Sequence, residues 1–192
     1  MFDAIVLAGG AAARLGGVDK PALEIGASSL LDRVLASVAG AGRIVVVGPV
    51  RPVAVAVIWC REDPAGGGPV AGLAAGLAQV QTDVVLSLAA DLPWIAPAVP
   101  ALVAALAQSA ADCAALVDRD GRVNYLAAVW RRASLARALS AVGEPAGASM
   151  RSLVVGAALL EVPDEGGWGL DCDTWDDIDA ARRQLYREGT TR

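Results

Sequence analysis

Residues 3–20 read Asp-Ala-Ile-Val-Leu-Ala-Gly-Gly-Ala-Ala-Ala-Arg-Leu-Gly-Gly-Val-Asp-Lys. The first five residues are an apolar, β-branched run that breaks at Gly9-Gly10, which predicts a buried strand entering a loop. Glycines let backbone N–H groups approach phosphate oxygens closely, and Arg14 and Lys20 supply positive charge. The alternative for this segment is a plain flexible connection between a strand and a helix.

Strands and helices alternate along the rest of the chain. Apolar runs predict strands at residues 44–47, 53–59, 84–89, 113–117, 123–129 and 157–162. Apolar spacing and caps predict a helix from Ser28 or Ser29 to Gly40, and helices at residues 69–79, 97–109, 133–142, 149–155 and 174–188. Asp120-Gly121 predicts a hairpin between two of the strands. This order predicts a mostly parallel sheet covered on both faces, with one antiparallel insertion.

Length and composition restrict the class of protein. The chain has 192 residues, 55% of them hydrophobic, which predicts a single domain over residues 1–192 with residues 189–192 as a disordered tail. No run reaches the ~18 apolar residues of a membrane span, and the N-terminus shows no signal peptide, so the predicted location is the cytoplasm. The net charge of −5 argues against broad nucleic-acid binding.

Rare and absent residue types exclude several kinds of catalytic site and metal site. The sequence contains no histidine, which excludes Ser-His-Asp and Cys-His catalysis and His-ligated metal sites. Its three cysteines are far apart, which indicates small buried side chains rather than a disulfide framework or a zinc site. The basic residues are 15 arginines and one lysine, Lys20. Because this single lysine lies in the glycine-rich segment, a functional role for Lys20 is favoured over an incidental surface position.

An aspartate follows one of the predicted strands directly. Ligands of open α/β sheets bind beyond the carboxyl ends of the strands. Asp91 comes straight after the apolar run at residues 84–90. A carboxylate there can hold Mg²⁺ through one or two oxygens while phosphates complete the octahedron. Capping of a turn or helix is the alternative, and the residues alone weigh the two equally.

Two further segments carry candidate polar contacts. Residues 62–72 read Glu-Asp-Pro-Ala-Gly-Gly-Gly-Pro-Val-Ala-Gly, which can wrap a nucleoside with Asp63 or form a surface loop. Asp171 and Asp173 lie two residues apart in a segment expected to be extended. Only one of these two carboxylates is expected to face a metal shared with Asp91. Capping of the last helix is again the alternative.

Together these segments resemble the signature of the molybdenum cofactor guanylyltransferase family of nucleotidyltransferases. The resemblance rests on residues 7–10 (Leu-Ala-Gly-Gly), Arg14, Gly16-Gly17, Asp19-Lys20, Leu23-Glu24, Asp63, 68–72, 91–93 and 171–174. It spans Ala4 to about Arg183. It implies a three-layer α/β/α sandwich with a Rossmann-like, mostly parallel sheet, as in nucleotide-diphospho-sugar transferases. The implied reaction moves GMP from GTP to the phosphate of molybdopterin and releases pyrophosphate.

The resemblance also implies roles for individual residues. Backbone atoms at the end of the first strand would contact the nucleotide: Leu7, Ala8, Gly9 and Gly10. Lys20 would contact the phosphates, Asp63 the nucleoside, and Arg14 the leaving pyrophosphate. Asp91 would hold Mg²⁺, and Asp173 is the second candidate ligand. Transient contacts with cofactor-biosynthesis or molybdoenzyme proteins are a further expectation.

The acceptor side of the site is less defined by the sequence. Asn124 and Arg151 are the candidates for acceptor contacts, with a strand surface and a solvated helix face as the alternatives. Some relatives carry His-Pro where this chain has Asn124-Tyr125, and relatives often have Asn where it has Gly48-Pro49. These departures leave the acceptor's identity and one nucleotide contact open.

The choice of nucleotide rests on one position. Gly9 stands where cytidylyltransferases usually have Ala, and a glycine leaves more room for a purine, which favours GTP. The alternatives are a CTP-dependent molybdopterin cytidylyltransferase and a nucleotidyltransferase for another phosphorylated acceptor. An alternative of a different class is a nucleotide-binding protein without catalytic activity.

Overall fold

A seven-stranded sheet organises the part of the chain that the computed structural model describes, residues 1–10 and 15–190, with side chains to residue 187. The strands are β1 (Asp3–Leu7), β2 (Glu24–Ile25), β3 (Ser28–Ser29), β4 (Ile44–Val47), β5 (Ile58–Cys60), β6 (Val84–Ala89), β7 (Cys113–Val117), β8 (Val123–Arg131) and β9 (Leu159–Pro163). The helices are α1 (Leu30–Ser37), α2 (Pro69–Leu77), α3 (Ala98–Ala107), α4 (Arg132–Val142), α5 (Met150–Leu153) and α6 (Trp175–Thr190).

The strand order of the large sheet is β5-β4-β1-β6-β8-β7-β9, and β2 and β3 form a separate pair. β1 runs parallel to β4 and β6, β4 to β5, and β7 to β9. β8 is antiparallel to both of its neighbours, β6 and β7. The prediction of a mostly parallel sheet with one antiparallel insertion is therefore confirmed. The predicted hairpin is β7–β8, and it turns through Gly121, which has a φ of 78°.

Helices cover both faces of the sheet, as the three-layer prediction requires. Ala4 and Val6 of β1 pack in one cluster with α1 and α3, whereas Ile5 packs in another with α2, α4 and α5. This alternation follows from the two-residue period of a strand. α6 packs instead against β2 and the start of α1, where Ile25 meets Ile178. No helix in the described ranges is both long and apolar enough to cross a membrane.

The predicted strand at residues 53–59 is wrong over most of its length. Only β5 pairs, because β4 offers register partners to just Ile58, Trp59 and Cys60. The preceding segment is tied to α1 instead, where the N–H of Ala54 donates to Asp32 Oδ1 at 3.0 Å. Valines in that segment have a high strand propensity, but no neighbouring strand reaches them.

Smaller differences occur towards the C-terminus. The predicted helix at residues 149–155 is the single turn α5, and the predicted strand at 157–162 is β9, which begins two residues later. α6 continues to Thr190 and so includes the first residues of the segment that the sequence predicts as a tail, while residues 191–192 lie outside the described part. The pair β2–β3 was not predicted, since two-residue strands are too short to show a periodic pattern.

Candidate active site

A cavity of about 380 Å³ lies beyond the carboxyl ends of β1, β4 and β6. The last residues of these strands line it: Leu7, Val47 and Ala89. The following loops and α2 complete the lining: Gly9, Gly10, Glu62, Gly66, Gly68, Pro69, Gly72, Asp91 and, from β8, Leu126. The side chain of Ala8 is buried instead, and its N–H donates to the carbonyl of Val47 at 2.8 Å. The structure thus brings the glycine-rich segment and Asp91 to one cavity, at the sheet edge where α/β proteins bind ligands.

A close backbone contact holds the ends of β1 and β4 together beside this cavity. Gly48 has a φ of 147°, and a Cβ atom on it would lie 2.8 Å from the carbonyl carbon and oxygen of Ala8. A side chain such as asparagine at position 48 would not fit this backbone. Glycine at position 48 therefore permits the close approach of the two strand ends.

We expect Gly48→Ala to lower the free energy of unfolding by about 3 kcal/mol, because it combines a positive φ with a backbone clash. Gly121→Ala is the matched control, since its φ is also positive but a Cβ there meets nothing within 4 Å. The control should lose only about 1 kcal/mol in urea unfolding followed by tryptophan fluorescence. Equal losses in the two variants would contradict the close approach at Gly48.

Lys20, Asp91 and Asp173 converge beside the cavity. Lys20 opens a 3-10 turn, Lys20–Ala22, and its Nζ lies 2.5 Å from Asp91 Oδ2 and 2.5 Å from Asp173 Oδ1. The three side chains are 14%, 21% and 41% exposed, respectively. Because each oxygen lies 2.5 Å from the same nitrogen, the two oxygens are no farther apart than twice that distance. The two carboxylates already accommodate one cation between them.

The charges of this cluster perturb its titration. Burial lowers the pKa of Lys20, but hydrogen bonds to Asp173 and Asp91 outweigh it, so the pKa is raised and the ammonium stays charged at neutral pH. Asp171 is exposed as a whole residue, yet desolvation of its carboxyl group and the charges of Asp173 and Asp91 raise its pKa. Burial, with the charge of Asp91, raises the pKa of Cys172 to about 12. A thiol of that pKa is protonated at neutral pH and is not a nucleophile.

The donor set of the cluster fits a hard divalent cation. Within residues 1–10 and 15–187, no group of three or more carboxylate, thiol or imidazole side chains is arranged to hold a metal ion. Mg²⁺ needs no such cage, since it is usually bound through one or two carboxylates together with substrate phosphates. Asp91 and Asp173 are two carboxylates that share a cation at the edge of a glycine-lined cavity.

Glu62, and not the predicted Asp63, lies against the cavity. Glu62 Oε1 accepts the N–H of Gly66 at 3.0 Å and lies 3.8 Å from the position that a Cβ on Gly9 would take. Asp63 is exposed and is not part of the described lining. The sequence could not separate these neighbours, because an irregular loop has no period that assigns a direction to each side chain.

A second cavity of about 510 Å³ adjoins the first at Leu126, which lines both. The register of β7 against β8 shifts between Ala115 and Leu116, so residues 125–127 have no partner in β7. This irregularity leaves Tyr125 and Leu126 to line the cavity. Its other described lining residues are Leu116, Asp118, Arg122, Val123, Asn124, Met150, Asp164, Gly169, Leu170 and Asp171.

The predicted acceptor contacts and Arg14 have different outcomes. Asn124 lines the second cavity, but its amide nitrogen donates to the carbonyl of Gly169 and its oxygen accepts the N–H of Leu126, both at 3.0 Å. These bonds hold the irregular part of β8 in place. Arg151 is exposed on α5 and is not in the described lining, where the basic side chain is Arg122. Arg14 lies outside the described residues.

Known proteins are similar in sequence to this chain over most of its length. Residues 4–159 match the family profile described as MobA-like NTP transferase domain. The chain belongs to the MobA-like NTP transferase family. It is 33% identical to the molybdenum cofactor guanylyltransferase of Acidiphilium cryptum, over 93% of this chain and 92% of that relative. It is 32% identical to the probable molybdenum cofactor guanylyltransferase of Chloroflexus aggregans, over 99% and 90% of the two chains.

Solved structures support the fold of the MobA-like chain. Molybdopterin-guanine dinucleotide biosynthesis protein A from Archaeoglobus fulgidus superposes with a TM-score of 0.76 at 17% identity, covering 96% of this chain and 99% of the other. 2-C-Methyl-D-erythritol 4-phosphate cytidylyltransferase from Thermus thermophilus gives 0.74 at 18% identity, covering 95% and 98%. At these identities the likeness establishes the fold, and the predicted nucleotide-diphospho-sugar transferase-like architecture is confirmed.

As a member of this family the MobA-like chain is a nucleotidyltransferase, as its sequence predicts. Most of the predicted site residues meet at the first cavity or beside it: Leu7, Gly9, Gly10, Lys20, Asp91 and Asp173. Chemically, the arrangement offers a glycine-lined cavity, one ammonium group and a pair of carboxylates. It offers no group that titrates near neutral pH by nature, because the sequence lacks histidine.

Proposed function

We propose that this protein transfers GMP from GTP to the phosphate of molybdopterin, with Mg²⁺, and releases pyrophosphate. The observation that carries the proposal is the convergence of Lys20 on Asp91 and Asp173 beside the glycine-lined cavity. The names of the relatives, molybdenum cofactor guanylyltransferases, support the choice of nucleotide and acceptor. Action in the cytoplasm and transient contact with cofactor-biosynthesis or molybdoenzyme proteins are part of the same proposal.

The reaction needs positioning and charge neutralisation more than proton transfer. An oxygen of the acceptor phosphate forms a bond to the α-phosphorus of GTP, and the bond from that phosphorus to the β-phosphate oxygen breaks. The attacking phosphate is already ionised at neutral pH, so no general base is required. This agrees with a site that contains no histidine and, in Cys172, a protonated thiol. Such catalysis depends on fixed charges and on the orientation of the reactants.

Lys20 exchanges partners in this proposal. In the structure its ammonium group is held between Asp91 and Asp173. A triphosphate in the cavity carries several negative charges and draws the ammonium group towards itself. The two carboxylates are then available to Mg²⁺, which when bound would offset charge on the phosphates. The backbone at Gly9 and Gly10, near the start of the glycine-rich segment that ends at Lys20, would also contact the nucleotide.

The activity is tested by mixing the protein with Mg²⁺, molybdopterin and one of GTP, CTP, ATP or UTP, and measuring pyrophosphate and the product mass. We expect pyrophosphate release with GTP only when the acceptor is present, and a product that has gained one GMP unit. A preference for CTP would identify a cytidylyltransferase. Turnover with a different phosphorylated acceptor would correct the acceptor. Nucleotide binding without turnover on any acceptor would support a non-catalytic protein.

Glu62 is expected to contribute to base selection. Guanine presents two N–H donors on one edge, which suit a carboxylate, whereas cytosine presents an amino donor beside an acceptor. We expect Glu62→Gln to lower kcat/KM for GTP by about 10-fold, in line with the loss of a charge-assisted hydrogen bond. Asp63→Asn is the matched control, because this adjacent carboxylate is exposed and outside the described lining. An equal effect of both changes, or no effect of Glu62→Gln, would show that Glu62 does not contribute to base selection.

A further inference from the structure

A bidentate ion pair joins the loop after β4 to the residue before Lys20. Arg51 Nε lies 2.9 and 2.8 Å from the two carboxylate oxygens of Asp19, and its Nη2 donates to Asp19 Oδ1 at 2.6 Å. Its remaining nitrogen, Nη1, donates to the carbonyl of Pro49 at 2.9 Å. The Arg51 side chain is only 12% exposed, against 50% for Asp19. A forked, half-buried ion pair of this kind fixes the position of Asp19 relative to Arg51, which an exposed single contact would not do.

Asp19 determines where the backbone of Lys20 lies. The carbonyl of Asp19 accepts the N–H of Ala22 at 3.0 Å, which starts the 3-10 turn. An aspartate at this position ordinarily caps the turn by accepting an N–H with its side chain. Here the side chain makes no capping hydrogen bond and binds Arg51 instead. The carboxylate therefore connects the start of the turn to the β4 loop rather than stabilising the turn itself.

The Arg51–Asp19 ion pair can remain when a nucleotide binds, whereas the ion pairs of Lys20 with Asp91 and Asp173 cannot. In the free protein the ammonium end of Lys20 is held by Asp91 and Asp173, and both contacts are lost when it turns to a phosphate. Each of the three guanidinium nitrogens of Arg51 donates to Asp19 or to the carbonyl of Pro49, so the pair does not use the carboxylates that Lys20 leaves. The Arg51–Asp19 pair can thus hold the Lys20 backbone throughout the reaction.

We propose that Arg51 is a positioning residue, which acts through Asp19 to place Lys20 against the triphosphate and does not touch the nucleotide itself. The inference rests on the proposed function, since it gives Lys20 its role there. A displacement of about 1 Å in such a group costs on the order of 10²-fold in rate. Arginine is required because its fork binds both oxygens of Asp19 and the Pro49 carbonyl together.

Kinetics of Arg51→Ala, Asp19→Ala and the double variant test this role. Each single change is expected to lower kcat by about 10- to 100-fold, with a much smaller change in the Kd for GTP. The double variant should be no slower than either single variant, because both remove the same connection. Arg51→Lys restores the charge without the fork and should recover only part of the rate. Arg182→Ala, which removes contacts of a different arginine to the carbonyl of Glu24, is the control and should be near wild type.

Additive losses in the double variant would overturn the inference, because Arg51 would then act independently of Asp19. A second measurement separates this from the proposed function. Lys20 is the chain's single lysine, so ¹⁵N-lysine labelling gives one backbone amide signal whether or not the protein turns over GTP. We expect Arg51→Ala to move that signal, although residue 51 is far from Lys20 in sequence. An unmoved signal in Arg51→Ala would overturn the inference, whereas a moved signal in a protein without GTP turnover would contradict only the proposed function.

Discussion

Replacing Lys20 with glutamine is expected to lower GTP turnover by about 10²- to 10³-fold without unfolding the protein. Glutamine keeps much of the length and can still donate a hydrogen bond, but it removes the positive charge. The structure shows no other lysine that could substitute, because the sequence contains only one. In the free protein the loss leaves the carboxylates of Asp91 and Asp173 without the ammonium group that they share, so their mutual repulsion is expected to lower the stability of the free protein rather than its turnover.

The change is measured as pyrophosphate release at saturating GTP and Mg²⁺, alongside a thermal unfolding curve. Arg137→Gln is the control, since its guanidinium pairs with Asp112 on an exposed surface, 67% exposed and apart from either cavity. The control should stay within about twofold of wild type. Near-normal turnover in Lys20→Gln would show that the single lysine is incidental to the reaction.

Asp91→Asn is expected to reduce turnover by a similar factor, about 10²- to 10³-fold, and to raise the Mg²⁺ concentration needed for what remains. The amide is the same shape as the carboxylate, so the loss reports charge rather than packing. Asp91 is 21% exposed and lies two residues beyond the end of β6, so its position depends on the central strands rather than on a long loop. We expect Asp173→Asn to resemble Asp91→Asn, because Asp173 shares Lys20 with it.

Asp171→Asn separates the metal role from a general effect of charge. Asp171 lines the second cavity and lies near the cluster, where the charges of Asp173 and Asp91 raise its pKa. Its replacement should leave the Mg²⁺ dependence unchanged. Mn²⁺ binding in the presence of GTP, followed by electron paramagnetic resonance, gives a readout that does not need turnover. A Mg²⁺ dependence altered by Asp171→Asn and not by Asp173→Asn would reverse the assignment of the second ligand.

The central strands were predictable because burial on both faces makes them continuous apolar runs. β1, β4 and β6 are of this kind, and each is followed within two residues by a glycine or aspartate in the loop: Gly9, Gly48 and Asp91. The run at residues 53–59 has the same composition but no neighbour along most of its length. The length of a strand depends on how far its partner strand extends beside it, and the local sequence contains no information about that partner.

The site could be predicted in part for a related reason. The ends of parallel strands meet at one edge of the sheet, so Gly9, Lys20 and Asp91 were expected near one another before any contact was known. Asp173 was chosen over Asp171 from the resemblance to the family, since the spacing could not separate them: side chains two residues apart in an extended segment lie on the same face. The contacts between irregular loops gave no such signal: Glu62 against Asp63, and Arg51 with Asp19, a pair 32 positions apart in sequence. Neither loop has a period from which side-chain direction can be inferred.

The most direct test of the account follows the ammonium group of Lys20 itself. With ¹⁵N-lysine labelling, the single Nζ signal reports whether the group leaves Asp91 and Asp173 for a phosphate. We predict a saturable shift of this signal on titration with Mg²⁺ and GTP, and no shift with guanosine, which has no phosphate. An Nζ signal that stays at its free-protein position while calorimetry shows GTP bound would contradict the account.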